Sequence, residues 1–347
     1  MSKTLIIDVH DDKWDAVISQ CKAYDFYHTR SYHTLEVERD GDEAVLFVSF
    51  LEHVFIAIPL IIREIEGTHY FDCTSVYGYA GPVSNEEVCD ISEALMERFR
   101  IDLLEYFRKE NIVSAFSRLH PLIETQVVFN DFGIIRDVNK TIAININLTP
   151  EEQRKQYRKS NKSEINQLRK KKGYTIKKAE TDEEITAFVT IYNETMERVN
   201  ADNYYFFEAN YFRKILDNPN YEAVLLLALK NDTITAGAIF TITNKLMQYH
   251  LAGTATPFIN DTPMKLILDE ARLLANSLQL NFLHLGGGVG GNDNDSLFKF
   301  KAGFSKMYFQ FSTWQYIVNP EKYNELVIKN GVLESEYFPL YRAPKKE

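Results

Sequence analysis

Two stretches of the chain carry the same succession of apolar runs and turns. The first, DEAVLFVSFLEHVFIAIPLIIREIEGTHYFDCTSVYGYAGP (42–82), opens with EAVL, runs through an apolar strand, turns into a second, and reaches a third before a loop with Gly and Pro. The second, YEAVLLLALKNDTITAGAIFTITNKLMQYHLAGTATP (221–257), follows the same layout. Helix-period segments come next in both, EEVCDISEALMERFRIDLLEYF (86–107) and PMKLILDEARLLANSLQ (263–279). Each is followed by a short apolar strand, IVSAFSRL (112–119) and LNFLHLG (280–286). Short β-branched and aromatic runs bounded by turn residues argue strands, and apolar residues every third or fourth position argue helices. Strand, strand, strand, helix, strand, twice over, predicts two copies of one α/β module.

The join is placed at Thr149–Pro150, where TIAININLTP ends an alternating strand and Pro150 opens a charged segment. Domains over 1–149 and 150–317 are expected, with 318–347 returning to the first, because the periodic pattern ends near Val318. Glu151 to Lys172 reads as one polar helix stopped by Gly173. The next helix, TDEEITAFVTIYNETMERV (181–199), opens with a Thr181/Glu184 capping box and places Ile185, Phe188, Val189, Tyr192, Met196 and Val199 on one face. Glu194 and Arg198 stand at i and i+4 on another stripe.

Charge changes this picture locally. The formal net charge is −10, yet residues 154–178 hold eleven Lys/Arg against the single acid Glu164, so that segment is +10 and the remainder −20. One concentrated basic stretch, Lys170 and Lys171 within it, suggests a local anionic partner; a solvated basic helix is the alternative. The three cysteines lack CxxC spacing, which argues against a disulfide framework and a structural metal. The longest apolar run, VFIAIPLII (54–62), is too short to span a bilayer, and MSKTLIIDVHDDKWD lacks the features of a signal peptide. A cytoplasmic protein is expected.

The glycine run GGGVGG (286–291) followed by Lys299 and Lys301 has the look of a phosphate loop. It is not one: the lysines lie well beyond Gly291 behind an acidic NDND, and no Ser or Thr follows a GK pair. Glycines at a strand end, Gly287 and Gly288 among them, instead permit positive φ and close approach of a substrate chain. Asp293 or Asp295 would then cap the short helix SLFKFKAGF. No nucleophile–His–acid arrangement stands out, and His53, His69, His120, His250 and His284 read as core or edge histidines.

Four motifs, TSVYGYAGP (74–82), KSEINQLRKKKGY (162–174), YNETMERVNADNYYFF (192–207) and LGGG…DSLFKFKAGF (285–304), together resemble the FemABX-type branch of the GNAT acyltransferase superfamily. Members of that branch build peptide bridges on cell-wall precursors from aminoacyl-tRNA. The resemblance runs from roughly residue 25 to residue 317. It implies an α/β protein of two tandem GNAT-like domains, each a mixed sheet flanked by helices, the first on the acceptor side and the second holding the acyl-transfer channel. It places Phe300 and Lys301 in that channel and Arg198 at the diphosphate of the acceptor precursor.

Lys301 then suits stabilisation of a tetrahedral oxyanion, an effect of about 3 kcal/mol. It fits general-base work less well, because an unperturbed lysine is mostly charged at neutral pH. A surface lysine beside a core Phe300 is the alternative, as is a surface Glu194–Arg198 pair for Arg198. Tyr77 and Tyr79 alternate across Gly78 and, if extended, project to one side as a sugar or base platform, or pack in the core. The expected reaction is amide formation by direct attack of an acceptor amine, with no cofactor. The donor is aminoacyl-tRNA or acyl-CoA, and the acceptor a nucleotide- or lipid-linked envelope precursor close to the membrane. Acyl-CoA is demoted because GTATPFINDTPMKL (253–266) lacks a Q/RxxGxG/A turn, although the helix end at Thr262–Pro263 is a place where phosphate could sit. An acyl-CoA-dependent N-acyltransferase of an amino sugar and a non-catalytic relative are the competing readings. Two departures stand out. The second domain has no long helical hairpin, and the first-domain positions that hold the precursor have no clear counterpart.

Overall fold

The computed structural model describes residues 2–288 and 295–345, and the chain forms two compact units: Met1–Val138 with Gln310–Glu347, and Asn139–Phe309. The first unit contributes β1 (Ser2–Asp8), β2 (Glu43–Leu51), β3 (Val54–Glu64), β4 (Phe71–Thr74), β5 (Val83–Ser84) and β6 (Ile112–Arg118) before the chain leaves it along β7 (Ile134–Asn145). The second holds β8 (Tyr174–Lys178), β9 (Glu222–Lys230), β10 (Thr233–Thr243), β11 (Leu246–Thr254) and β12 (Phe282–Gly286), and the chain returns along β13 (Met307–Ile317).

In the first unit the strands lie in the order β1-β2-β3-β4-β6-β13, with β5 on β3. In the second the order is β7-β12-β11-β10-β9-β8. The repeated pattern of the sequence is a repeated topology. β2, β3 and β4 pair antiparallel in turn, and β4 then pairs parallel with β6 after helix Glu93–Lys109. Likewise β9, β10 and β11 pair antiparallel, and β11 pairs parallel with β12 after helix Met264–Ser277. A parallel neighbour demands a crossover, and the amphipathic helix supplies it. Leu95, Phe99, Leu103 and Phe107, one stripe of the first helix, bury against Phe47, Ile58 and Leu60. Ile267, Leu268, Ala271 and Ala275 of the second bury against Ala238, Phe240, Met247 and Leu283.

Local detail departs from the sequence reading in four places. The helix read over 86–107 begins only at Glu93, after a 3₁₀ turn at Val88–Asp90, because Ser92 caps it by accepting from Leu95 N. The single helix expected from Glu151 to Lys172 is two, Pro150–Gln156 and Lys159–Lys170. Tertiary contacts break it: Tyr157 is buried edge-on to Phe304 with ring centroids 5.0 Å apart, and Arg158 N donates to Gly303 O at 2.8 Å. Helix Asp182–Arg198 carries the Thr181/Glu184 capping box, but Val199 lies past its end and is exposed rather than on the buried face. The units divide after Val138, inside β7, where no change of pattern marks the sequence.

Beyond β13, helix Pro320–Asn330 and the segment after it belong to the first unit. Tyr341 donates to Asp72 Oδ2 at 2.9 Å, and Arg342 Nε reaches the same oxygen at 2.6 Å. No described helix is long and apolar enough to cross a membrane.

Candidate active site around Lys301

The parallel pair β11/β12 is short. Its register ends at Gln248 opposite His284, while β11 continues to Thr254 and β12 stops at Gly286. The two strands therefore part just after these residues, and Lys301 fills the parting. Asp295 caps helix Ser296–Lys301 by accepting from Phe298 N at 2.8 Å, one of the two caps the sequence offered; Asp293, the other, lies outside the described residues. In fewer than two turns the short helix points Lys301 inward and leaves Lys299 exposed. The Lys301 ammonium donates to Gly287 O at 2.6 Å and stands 5.6 Å from the centre of the Tyr249 ring. Burial lowers its pKa to about 8, against the opposing pull of the Asp295 carboxylate. At neutral pH it is still mostly protonated, a buried cation held by one hydrogen bond to the backbone.

The glycines serve this arrangement sterically. Gly286 has φ +72°, a conformation that favours glycine. A Cβ on Gly288 would stand 2.3 Å from Asp295 Oδ2, so only glycine leaves room for the capping carboxylate. Gly290 and Gly291 lie outside the described residues. Phe300 is half-buried, its ring edge-on to Phe304 at 5.6 Å, so it packs at the margin of the core next to Lys301. Gly287, Gly288, Phe300 and Lys301 thus come together. Tyr249 joins them unforeseen, although a QYH interruption in an apolar strand (248–250) was a visible signal.

The other expected residues lie apart from this group. Arg198 is exposed and donates to Thr256 Oγ1 at 3.0 Å, Thr195 Oγ1 at 3.2 Å and Thr254 O at 3.1 Å. Glu194 accepts from Thr256 N at 3.0 Å, so both side chains grip the turn after β11. From Thr254 back to Tyr249 is roughly 16 Å of extended strand. Tyr77 and Tyr79, in the first unit, do not extend across Gly78, whose φ is +122°. A Cβ on Gly78 would overlap the Tyr27 ring, and Tyr79 packs edge-on against Tyr27 and Phe311. The extended platform is corrected accordingly: both tyrosines are half-buried beside a buried aromatic cluster.

The basic segment is partly neutralised from within. Arg154 and Arg169 reach Asp269, Lys172 reaches Asp261 at 2.6 Å, and Lys177 reaches Glu184. Lys170 and Lys171 are exposed at the far end of helix Lys159–Lys170, about 17 Å from its start. Nearer to Lys301 stand Arg158, whose Nη2 donates to Lys299 O at 3.3 Å, and Lys306, whose N–H donates to Gln156 Oε1 at 3.2 Å. With Lys155, Lys159 and Lys299 they make an exposed basic rim. Sequence order hid it in part, because its members come from three helices, the residue between the first two and the chain after the third.

A buried histidine in each unit is held by hydrogen bonds. His284 Nδ1 meets Gln248 Oε1 at 2.6 Å, and His120 bridges Asp25 Oδ2 and Leu122 N, each at 3.1 Å. Among the described residues no cluster of His, Cys, Asp and Glu is arranged to hold a metal ion.

Solved structures share this architecture. FemX superposes with a TM-score of 0.73 over 93% of this chain and 99% of its own, at 13% identity. L-PGS from Bacillus licheniformis gives 0.59 over 90% and 93% at 11% identity. A conserved protein of unknown function from Bacteroides thetaiotaomicron gives 0.53 over 82% and 89% at 11%. No protein-family profile and no curated protein matches the sequence. At such identities the likeness defines the fold alone: the chain has a FemX-like architecture, a mixed α/β fold.

Proposed function

We propose that the protein is an acyltransferase that forms an amide bond beside the Lys301 ammonium, moving an aminoacyl group from a polyanionic carrier, aminoacyl-tRNA, to an amine of a cell-wall or surface-polysaccharide precursor. The observation that carries this reading is the buried ammonium at the parting of β11 and β12. The acceptor nitrogen attacks the carbonyl carbon of the donor ester, a C–N bond forms, and negative charge collects on the carbonyl oxygen. Lys301 stabilises that oxyanion. Collapse breaks the C–O bond, and the proton released from nitrogen goes to the departing hydroxyl of the carrier. Neither a covalent enzyme intermediate nor a cofactor is needed. Arg198, with its planar guanidinium on the turn after β11, is suited to a phosphate of the acceptor.

The basic rim is the carrier's docking place in this reading. Labelled aminoacyl-tRNA with an excess primary amine is expected to yield labelled amide, and labelled acyl-CoA to yield none. The opposite preference would overturn the choice of donor. Carrier binding should weaken steeply with salt, and replacing Arg158, Lys159 and Lys299 with serine should lower the salt slope by about three. The same treatment of Lys170 and Lys171 should change it less, and an unchanged slope in the rim variant would return these residues to solvated surface.

A further inference from the structure

Five donor groups converge where the turn after β11 enters helix Met264–Ser277. Lys172 Nζ, Lys230 Nζ and Tyr174 OH all reach Asp261, at 2.6, 2.9 and 2.7 Å. Thr262 Oγ1, at 3.0 Å, and Lys265 Nζ both reach Glu164 Oε2. Three ammonium groups, a phenol and a hydroxyl at a helix start are the equipment of a phosphate site. Here the negative charges belong to the chain itself. Glu164 is the lone acid of the basic segment, and its presence there has an account in these contacts.

The backbone is committed in the same way. Lys265 N donates to Thr262 O, and Leu266 N and Ile267 N donate to Pro263 O, so these amides are turned inward. Thr262 has φ +56°, a costly conformation for a β-branched residue, held by its bond to Glu164 and by Thr262 N donating to Ile259 O at 3.0 Å. Both carboxylates remain ionised. Bonds from Lys172, Lys230 and Tyr174 hold Asp261 far below the ordinary carboxylate range. Burial opposes ionisation of Glu164, yet Lys265 and Thr262 hold it below its usual value.

We infer that Glu164 and Asp261 are resident anions that close this helix end to phosphate- and diphosphate-bearing ligands, and so act as specificity determinants against diphosphate-linked acyl donors. The helix end that the sequence offered to phosphate is occupied. The inference deepens the proposed donor choice and rests on that reading for its biological meaning, but its physical content is a statement about anion binding alone.

The test is equilibrium binding of inorganic pyrophosphate, without donor or acceptor. The wild-type protein is expected to show no binding here that Lys265→Met alters. A Glu164→Gln/Asp261→Asn variant should bind at least tenfold more tightly than wild type, with the gain removed by adding Lys265→Met. Should the double variant not fold, Glu164→Gln alone, which keeps every bond to Asp261, is expected to show a smaller gain in the same direction. Wild-type binding that Lys265→Met weakens tenfold would overturn the inference, as would a folded variant with no gain. Failure of amide formation from aminoacyl-tRNA leaves these outcomes unaffected, so the two proposals fail separately.

Discussion

Replacing Asp269 with alanine is expected to cost the folded state about 3–5 kcal/mol. Asp269 is fully buried and joins three helices of the second unit: Arg154 reaches its Oδ2 at 2.9 Å, Arg169 reaches the same oxygen at 3.4 Å, and Arg272 reaches Oδ1 at 3.1 Å. Arg154 and Arg169 are partly exposed and can turn to water. Arg272 cannot, being only 2% exposed; it would keep Gln153 and Tyr157 as neutral partners with no counter-charge. The loss thus comes mainly from one stranded guanidinium rather than from three broken pairs. Denaturant unfolding measures it, and a change below about 1 kcal/mol would show that Arg272 finds solvent. Asp269→Leu with Arg272→Met should recover much of the loss, since an apolar pair carries no charge to desolvate.

Lys301→Met is expected to remove activity without destabilising the fold. The chemical step should fall by roughly a hundredfold or more, the scale of losing one oxyanion donor. Stability should hold or rise, because the ammonium is buried against its solvation preference. Its pKa falls from the model-compound value of 10.5 to about 8, worth about 3 kcal/mol at neutral pH. Between those values the unfolded chain binds the proton more tightly than the folded one. Wild-type stability should therefore rise with pH through this window, and in Lys301→Met that rise should be absent. The rate of the chemical step should move the other way, declining above pH 8 as the cation is lost. Lys299→Met, exposed on the same helix, is the control and should alter neither.

The duplicated topology was legible because period and order survive in the sequence: EAVL opens both β2 and β9, and an apolar-striped helix precedes both β6 and β12. That Lys299 and Lys301 face different ways was legible from their spacing in the short helix behind a glycine-rich strand end. What stayed hidden is set by distant partners. Nothing local announces that Tyr157 will leave a helix to meet Arg272 and Phe304. Charge counting took residues 154–178 as one basic body, whereas Asp261, Asp269 and Glu184, from other elements, neutralise four of its members. Tyr77 and Tyr79 failed as an extended pair because Gly78 turns the chain at φ +122°, and the Tyr27 ring that closes over it comes from a distant part of the sequence.

The central claim is that the buried Lys301 ammonium stabilises charge during amide formation. A single-turnover measurement tests it most directly: enzyme in excess over labelled aminoacyl-tRNA, a primary amine at saturation, and rapid quenching to count amide against time. At pH 7, with enzyme saturating for the carrier so that the weaker docking of Lys299→Met does not limit the step, wild type and Lys299→Met should form amide at the same rate, and Lys301→Met should be slower by about two orders of magnitude with donor binding unchanged. Equal rates in all three proteins would contradict the account.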